Sequence, residues 1–206
     1  MRQFETKYLK QGYRLIAGTD EAGRGPLAGP VVASAVILDE NHPIDGLNDS
    51  KQLSEKKRNH LYDEIHRYAK AIATVFIYPE EIDQINIYQA SKKAMNDAIT
   101  QLSLRPDVVL SDAMPLSLKD IICESIIKGD TLSESIAAAS IIAKVSRDRY
   151  MIDQAITYPD YGFDRHKGYP TKEHMAALKR FGVTPLHRRS YQPVKDQINR
   201  QIKLDI

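Results

Sequence analysis

Two apolar runs that read as strands, Arg14 to Thr19 and Gly29 to Leu38 (GPVVASAVIL), flank the heptapeptide Asp-Glu-Ala-Gly-Arg-Gly-Pro at residues 20 to 26. The second run is rich in Val, Ala and Ile and lacks helical spacing, so the two adjacent acids are expected at the end of the first strand. Adjacent carboxylates can hold a divalent cation. Glycines on either side of an arginine leave backbone amides open to close approach, because a residue without Cβ adds no steric wall. The heptapeptide therefore points to a metal and a polyanion meeting at one loop.

The rest of the chain alternates in period. Ser54 reads as the N-cap of a helix carrying Leu61, Ile65 and Tyr68, and Ala71 to Ile77 as a third strand. From Asn86 to Leu102 a four-residue spacing of Ala90, Ala94, Ala98 and Leu102 marks a helix with a small core face. Val108 to Asp112 and Ile121 to Lys128 read as further strands. Thr131-x-x-Glu134 has the capping-box pattern and opens a long helix whose Ala137, Ala138, Ala139, Ser140 and Ala143 permit close packing. Short helices are expected near Thr171 to Phe181 and from Pro193 onward. This order predicts an α/β layered domain with a mixed central sheet flanked by helices and a helical C-terminal part. At 206 residues, with no repeat or low-complexity linker, a single domain is expected, ordered except at its ends.

Composition excludes several classes. MRQFETKYLKQ has no apolar signal region and no stretch approaches the ~18 residues of a membrane span, so a cytoplasmic protein without membrane contact is expected. Cys123 is the only cysteine, and no Cys-x-x-Cys or His-x-x-x-His pattern offers a zinc site. Net charge is +2, but between Lys144 and Tyr191 ten Lys/Arg stand against five Asp/Glu, interleaved with seven aromatic residues. Such a segment suits sugars and bases; a solvated helix face with aromatics in the core is the alternative.

Asp20, Glu21, Asp112 and Asp130 all fall at the ends of expected elements, where side chains of an α/β sheet converge on a crevice. Two carboxylates ~4 Å apart repel by ~4 kcal/mol at an effective dielectric near 20, a conflict that bound cations remove. Oxygen-only ligands suit Mg²⁺ or Mn²⁺ better than Zn²⁺, and two such ions serve phosphodiester displacement. Taken singly, each acid has a plainer reading: Asp130 as a helix N-cap, Asp112 as a turn residue, Glu21 as a solvent-facing group. Gly23, Gly25 and Gly29 also imitate a dinucleotide loop. Pro26 and the β-branched run that follows replace the helix such a loop needs. No Walker-type phosphate loop or Gly-x-Ser-x-Gly elbow is present.

DEAGRGP, Asn48-Asp49-Ser50-Lys51, Asp112 in LSDAM, the KGD ending at Asp130, SIAAASIIAKVSRD (residues 135 to 148) and HKGYPT (residues 166 to 171) together resemble ribonuclease HII, from about residue 14 to 191. The resemblance implies a ribonuclease H-like fold. It also implies an endonuclease that hydrolyses the RNA strand of RNA–DNA hybrids and cuts 5′ to single ribonucleotides in duplex DNA, leaving 3′-hydroxyl and 5′-phosphate ends. It further implies Asp20, Glu21, Asp112 and Asp130 as catalytic metal ligands for Mn²⁺ or Mg²⁺, two ions with substrate bound. Gly23, Arg24 and Gly25 match the loop that reads the ribose 2′-hydroxyl. Tyr169 matches the tyrosine that packs on the deoxyribose at an RNA-to-DNA junction. Ser50, Lys51, Lys144 and Arg147 match phosphate contacts, with surface salt pairing as the alternative for Arg147.

Ribonuclease HIII is the less similar type, since it lacks the Gly-Arg-Gly arrangement and carries an extra N-terminal domain. The C-terminal QIKLDI (residues 201 to 206) is similar to Gln-x-x-Leu-x-apolar peptides that dock on sliding clamps, with a frayed helix end as the alternative, and a monomer is expected. Two other functions compete. A non-catalytic RNA–DNA hybrid-binding module would bind without turnover, and a dinucleotide oxidoreductase would bind nicotinamide.

Overall fold

A computed structural model describes residues 1–204, with side chains as far as Arg200. The chain, read above as one domain, gathers into two compact units: residues 1–22, 32–76 and 91–145, and residues 23–31, 77–90 and 146 onward.

The first unit holds a five-stranded sheet of β1 (Ile16–Ala22), β2 (Val31–Ile37), β3 (Ala71–Ile77), β4 (Val108–Asp112) and β5 (Ile122–Ile126), ordered β3-β2-β1-β4-β5. β1 runs antiparallel to β2 and parallel to β4, and β4 parallel to β5. The sheet is therefore mixed, as its sequence implied. The antiparallel β1–β2 pairing disposes of the dinucleotide reading, because a dinucleotide loop joins parallel strands through a helix.

Helix α1 (Gln3–Lys10) precedes the sheet, so the N-terminal end expected to lack order is helical. α2 (Glu55–Tyr68) starts at Ser54, whose hydroxyl accepts the Lys57 N–H. α3 (Pro79–Thr100) begins seven residues before the expected Asn86 and turns at that residue, where φ is 66°. α4 (Gly129–Leu132) is a single turn, separated by the extended Ser133 from α5 (Glu134–Thr157).

The anticipated Thr131 capping box does not form. Thr131 Oγ1 donates to the Lys128 carbonyl, and Ser133 Oγ accepts the Ile136 N–H instead. The break at Ser133 moves the cap two residues along the chain.

α5 lies hard against the sheet. A Cβ on Gly18 would stand 2.0 Å from the carbonyl carbon of Ser135 and 2.3 Å from the Ile136 nitrogen, so only glycine permits this contact. Ala137, Ala138, Ala139, Ile141 and Ile142 of α5 pack with Val36, Leu61 and Ile65 in the core of this unit. The small residues noted in the sequence thus serve close helix–sheet approach.

The second unit carries α6 (Phe163–His166), α7 (Lys172–Phe181) and α8 (Gln192–Leu204). Its core joins Ala28, Met151, Tyr161, Phe163, Ala177 and Leu186. Thr171 caps α7 through the His174 N–H.

Candidate active site

Side chains alternate along β1, so Gly18 and Asp20 share the face toward α5. Asp20 is buried, and Ser140, one turn beyond the Gly18 contact, hydrogen-bonds its carboxylate. Asp112 ends β4; its Oδ1 accepts the Gly129 N–H at 2.8 Å, tying the strand to the start of α4, where Asp130 sits. One carboxylate oxygen each from Asp20, Asp112 and Asp130 lies within 4.8 Å of the others. Three of the four expected acids thus meet. Glu21 stands outside this cluster, half-buried and next in the strand.

The cluster is electrostatically strained. Burial first, then the charges of Glu21 and Asp112, hold the Asp20 carboxyl well above the usual carboxylate range. Asp130 is pushed to about 6 by burial, Asp112 and Asp49, with Lys51 opposing. A buried carboxylate is costly unless paired with positive charge. An all-oxygen donor set in this condition fits Mg²⁺ or Mn²⁺, and Asp20, Asp112 and Asp130 are the residues that would hold the ion.

Lys51 is exposed on its loop. Burial of its ammonium works against protonation, but Asp20, Asp49, Asp130 and Asp112 outweigh it and raise its pKa. Ser50 is buried, its Oγ 2.9 Å from Ser140 Oγ, which links the loop to the residue supporting Asp20. Lys144 is half-buried on α5. Asp49, which shares a side-chain hydrogen bond with Asp130, and Ser140, read from the sequence only as a small packing residue, were not named there as site residues. Both lie inside strings that were singled out, so proximity to Ser50 and to the alanine run was the available signal.

In the second unit the Gly23–Arg24–Gly25 loop is held from beneath by two buried guanidinium groups. Arg188 donates to the carbonyls of Gly23 (2.6 Å), Arg24 (3.0 Å) and Gly29 (3.0 Å). Arg147, 1% exposed, donates to Pro30 (2.9 Å) and Ala28 (3.1 Å). This corrects the expectation of a phosphate contact or a surface salt pair at Arg147. Burial, and then the charge of Arg188, lower its pKa to about 10. Gly23 has φ +97°, and a Cβ there would meet Arg147 Nε at 2.1 Å. At Gly25 a Cβ would meet only Tyr169 Cε1, at 3.6 Å.

Tyr169 is 41% exposed, and the Arg147 guanidinium carbon lies 5.9 Å from the centre of its ring. Its backbone is fixed by buried histidines. His187 Nδ1 accepts the Thr184 N–H, so its proton is on Nε2 and is donated to His174 Nε2 at 3.1 Å. His174 therefore carries its own proton on Nδ1 and donates it to the Tyr169 carbonyl at 2.9 Å. Burial is the main cause holding His187 at about 3 and His174 at about 4, so both are neutral. Much of the basic aromatic segment is thus core: Tyr161 and Phe163 stack at 5.4 Å, and Arg188 is fully buried.

A family model described as Ribonuclease HII matches residues 17–194. The ribonuclease HII of Enterococcus faecalis is 56% identical over 198 residues, covering 96% of this chain and 77% of that protein. Among solved structures, the ribonuclease H2 of Pyrococcus horikoshii OT3 has TM-score 0.80 at 27% identity, covering 92% of this chain and 100% of the other. The ribonuclease HII of Archaeoglobus fulgidus, solved as a complex with PCNA, has TM-score 0.72 at 27% identity, covering 87% and 96%.

Proposed function

Since the chain belongs to the ribonuclease HII family and is a ribonuclease H endonuclease with the ribonuclease H-like fold, we propose that it cuts 5′ to single ribonucleotides embedded in duplex DNA as well as within RNA–DNA hybrids, leaving 3′-hydroxyl and 5′-phosphate ends. The observation that carries this reading is the trio of carboxylate oxygens of Asp20, Asp112 and Asp130 within 4.8 Å of one another. Glu21, beside Asp20, completes the proposed catalytic set. Two divalent ions, Mn²⁺ or Mg²⁺, would supply the charge that acidifies an attacking water and stabilises the leaving oxygen.

The chain's own groups do the rest. Asp20, Asp112 and Asp130 hold the charge, Ser140 and the Gly129 amide orient two of them, and Lys51, with Lys144, offers cations to phosphate. Ser50 acts through Ser140. Gly23, Arg24 and Gly25 present backbone to the ribose 2′-hydroxyl; the open space at Gly25 supports that reading, whereas the missing Cβ at Gly23 makes room for Arg147. Arg147 and Arg188 position this loop, and Tyr169 offers its exposed ring to the sugar at the RNA-to-DNA junction. Among the described residues no helix is long and apolar enough to cross a membrane. Action in the cytoplasm, as a monomer, is part of the proposal. The PCNA complex of the Archaeoglobus protein supports a sliding-clamp contact through QIKLDI, residues that lie outside those whose side chains are described.

The test is a duplex carrying one ribonucleotide, incubated with Mg²⁺, with Mn²⁺ and with EDTA, with product ends mapped. Cleavage at the 5′ side with either metal and none with EDTA is expected. Intact substrate under both metals, with hybrid binding retained, would favour the non-catalytic binding module.

A further inference from the structure

We propose that Glu5, on α1, is a positioning residue for Asp130, and that it sets the affinity of the acid cluster for its cation. The inference rests on the reading of Asp130 as a ligand. Residues 3–10 precede the residues that the family model matches, which begin at Ala17.

Glu5 is 5% exposed, and its Oε1 accepts two hydrogen bonds, from Ser133 Oγ at 2.5 Å and from the Ser135 N–H at 3.0 Å. Ionised, a carboxylate only accepts, so the Ser133 hydroxyl spends its single proton on Glu5. A lone pair is thereby turned to the Ile136 N–H, 3.2 Å away. The side chain of α1 thus satisfies one orphan amide of α5 directly and orients the group that satisfies the next. Its charge also faces the positive end of α5.

Ser133 follows Asp130 by three residues, and its N–H closes α4 on the Gly129 carbonyl at 2.8 Å. The backbone of Ser135 and Ile136 also rests on Gly18, two residues before Asp20 on the same face of β1. The start of α5 is therefore held at both Gly18 and Glu5. Releasing Glu5 frees the segment carrying Asp130 to move relative to Asp20. Arg2 adds a backbone bridge to Ser133 and a partly exposed ion pair with Glu134 at 3.3 Å, which contributes little.

The variants divide the possibilities. Oε2 of Glu5 meets no hydrogen-bond partner among the described residues, so Glu5→Gln keeps the Oε1 acceptor, removes the charge and puts an amide NH2 where Oε2 stands. Glu5→Asp keeps charge and loses reach, and Glu5→Ala loses both. Tyr8→Phe removes the 2.6 Å bond from α1 to Glu124 and leaves the Ser133 junction intact.

Mn²⁺ binding to the full chain is read by electron paramagnetic resonance, and amide exchange of residues 129–136 is read without metal. Glu5→Ala should weaken Mn²⁺ binding about tenfold or more and speed that exchange, with Glu5→Gln within about threefold of the parent and Tyr8→Phe unchanged. If Glu5→Ala does not fold, Glu5→Asp should show the weakening. Parental Mn²⁺ affinity in Glu5→Ala or Glu5→Asp would overturn the proposal, as would equal weakening by Tyr8→Phe. Asp130→Asn separates the two levels: unchanged Mn²⁺ affinity there would sink the reading of Asp130 itself, whereas a loss there without one at Glu5 would sink only the clamp.

Discussion

The acid cluster and the glycine loop are next to each other in sequence, yet they handle buried charge in opposite ways. In the cluster, Asp20 and Asp130 face further acids, and both carboxyls are driven upward by burial and repulsion. Under the loop, Arg147 and Arg188 are equally buried, but each donor named above meets a backbone carbonyl between Gly23 and Pro30. The first arrangement is completed by a cation from solution. The second is complete as folded, which is what a loop reading a small group such as a hydroxyl requires.

The largest effect should come from Asp112→Asn, which removes charge from the cluster while its amide oxygen still accepts the Gly129 N–H. Cleavage of a hybrid should fall about a thousandfold or more with affinity for the hybrid held within a few fold. A near-normal rate in a single-turnover assay would remove Asp112 from the ligand set. Next is Gly23→Ala, where the new Cβ collides with Arg147 and demands positive φ. Cleavage should drop about a hundredfold through misplacement of the loop, with Mn²⁺ affinity unchanged. If Mn²⁺ binding falls in parallel, the two regions are not independent.

Tyr169→Ala tests the loop side more gently. Loss of one stacking ring should cost about tenfold on a DNA-flanked single ribonucleotide and little on a long hybrid. Equal losses on both substrates would end the junction role.

The smallest effect at neutral pH concerns stability. His174 and His187 bind protons less readily in the native state, at about 4 and 3, than at their ordinary value of 6.5. The unfolded chain therefore takes up protons first as pH falls. The stability they contribute is complete above pH 6.5 and declines below it, by at most about 1.4 kcal/mol per pH unit for each histidine. Hydrogen exchange between pH 7 and 5, corrected for intrinsic rates, should show protection lost around residues 161–187. Uniform loss across both units would contradict a histidine origin.

Local pattern carried much of the fold. Ala71 to Ile77 and Val108 to Asp112 are strands with the expected ends, and Ser54 caps its helix, because alternation, β-branching and capping act within a few residues. The acids at strand ends were legible for the same reason. Glu5 and Arg188 were not: one is anchored 128 residues away at Ser133, the other 165 residues away at Gly23, and neither has a local signature. An arginine in a basic, aromatic stretch reads as a surface contact until the carbonyls that bury it are known. α1 was missed although Phe4, Tyr8 and Leu9 pack on the core beside the buried Glu5, because eight residues hold too short an apolar pattern to read.

The contact at Gly18 has a mechanical consequence. Most helices rest on sheets through side chains, whose rotamers give the spacing some play. Here main chain lies against main chain, so the gap between β1 and α5 is set by covalent dimensions and atomic radii. A strand and helix joined in this way act as a fixed gauge, and Asp20 with its partner Ser140 is mounted on both halves of it.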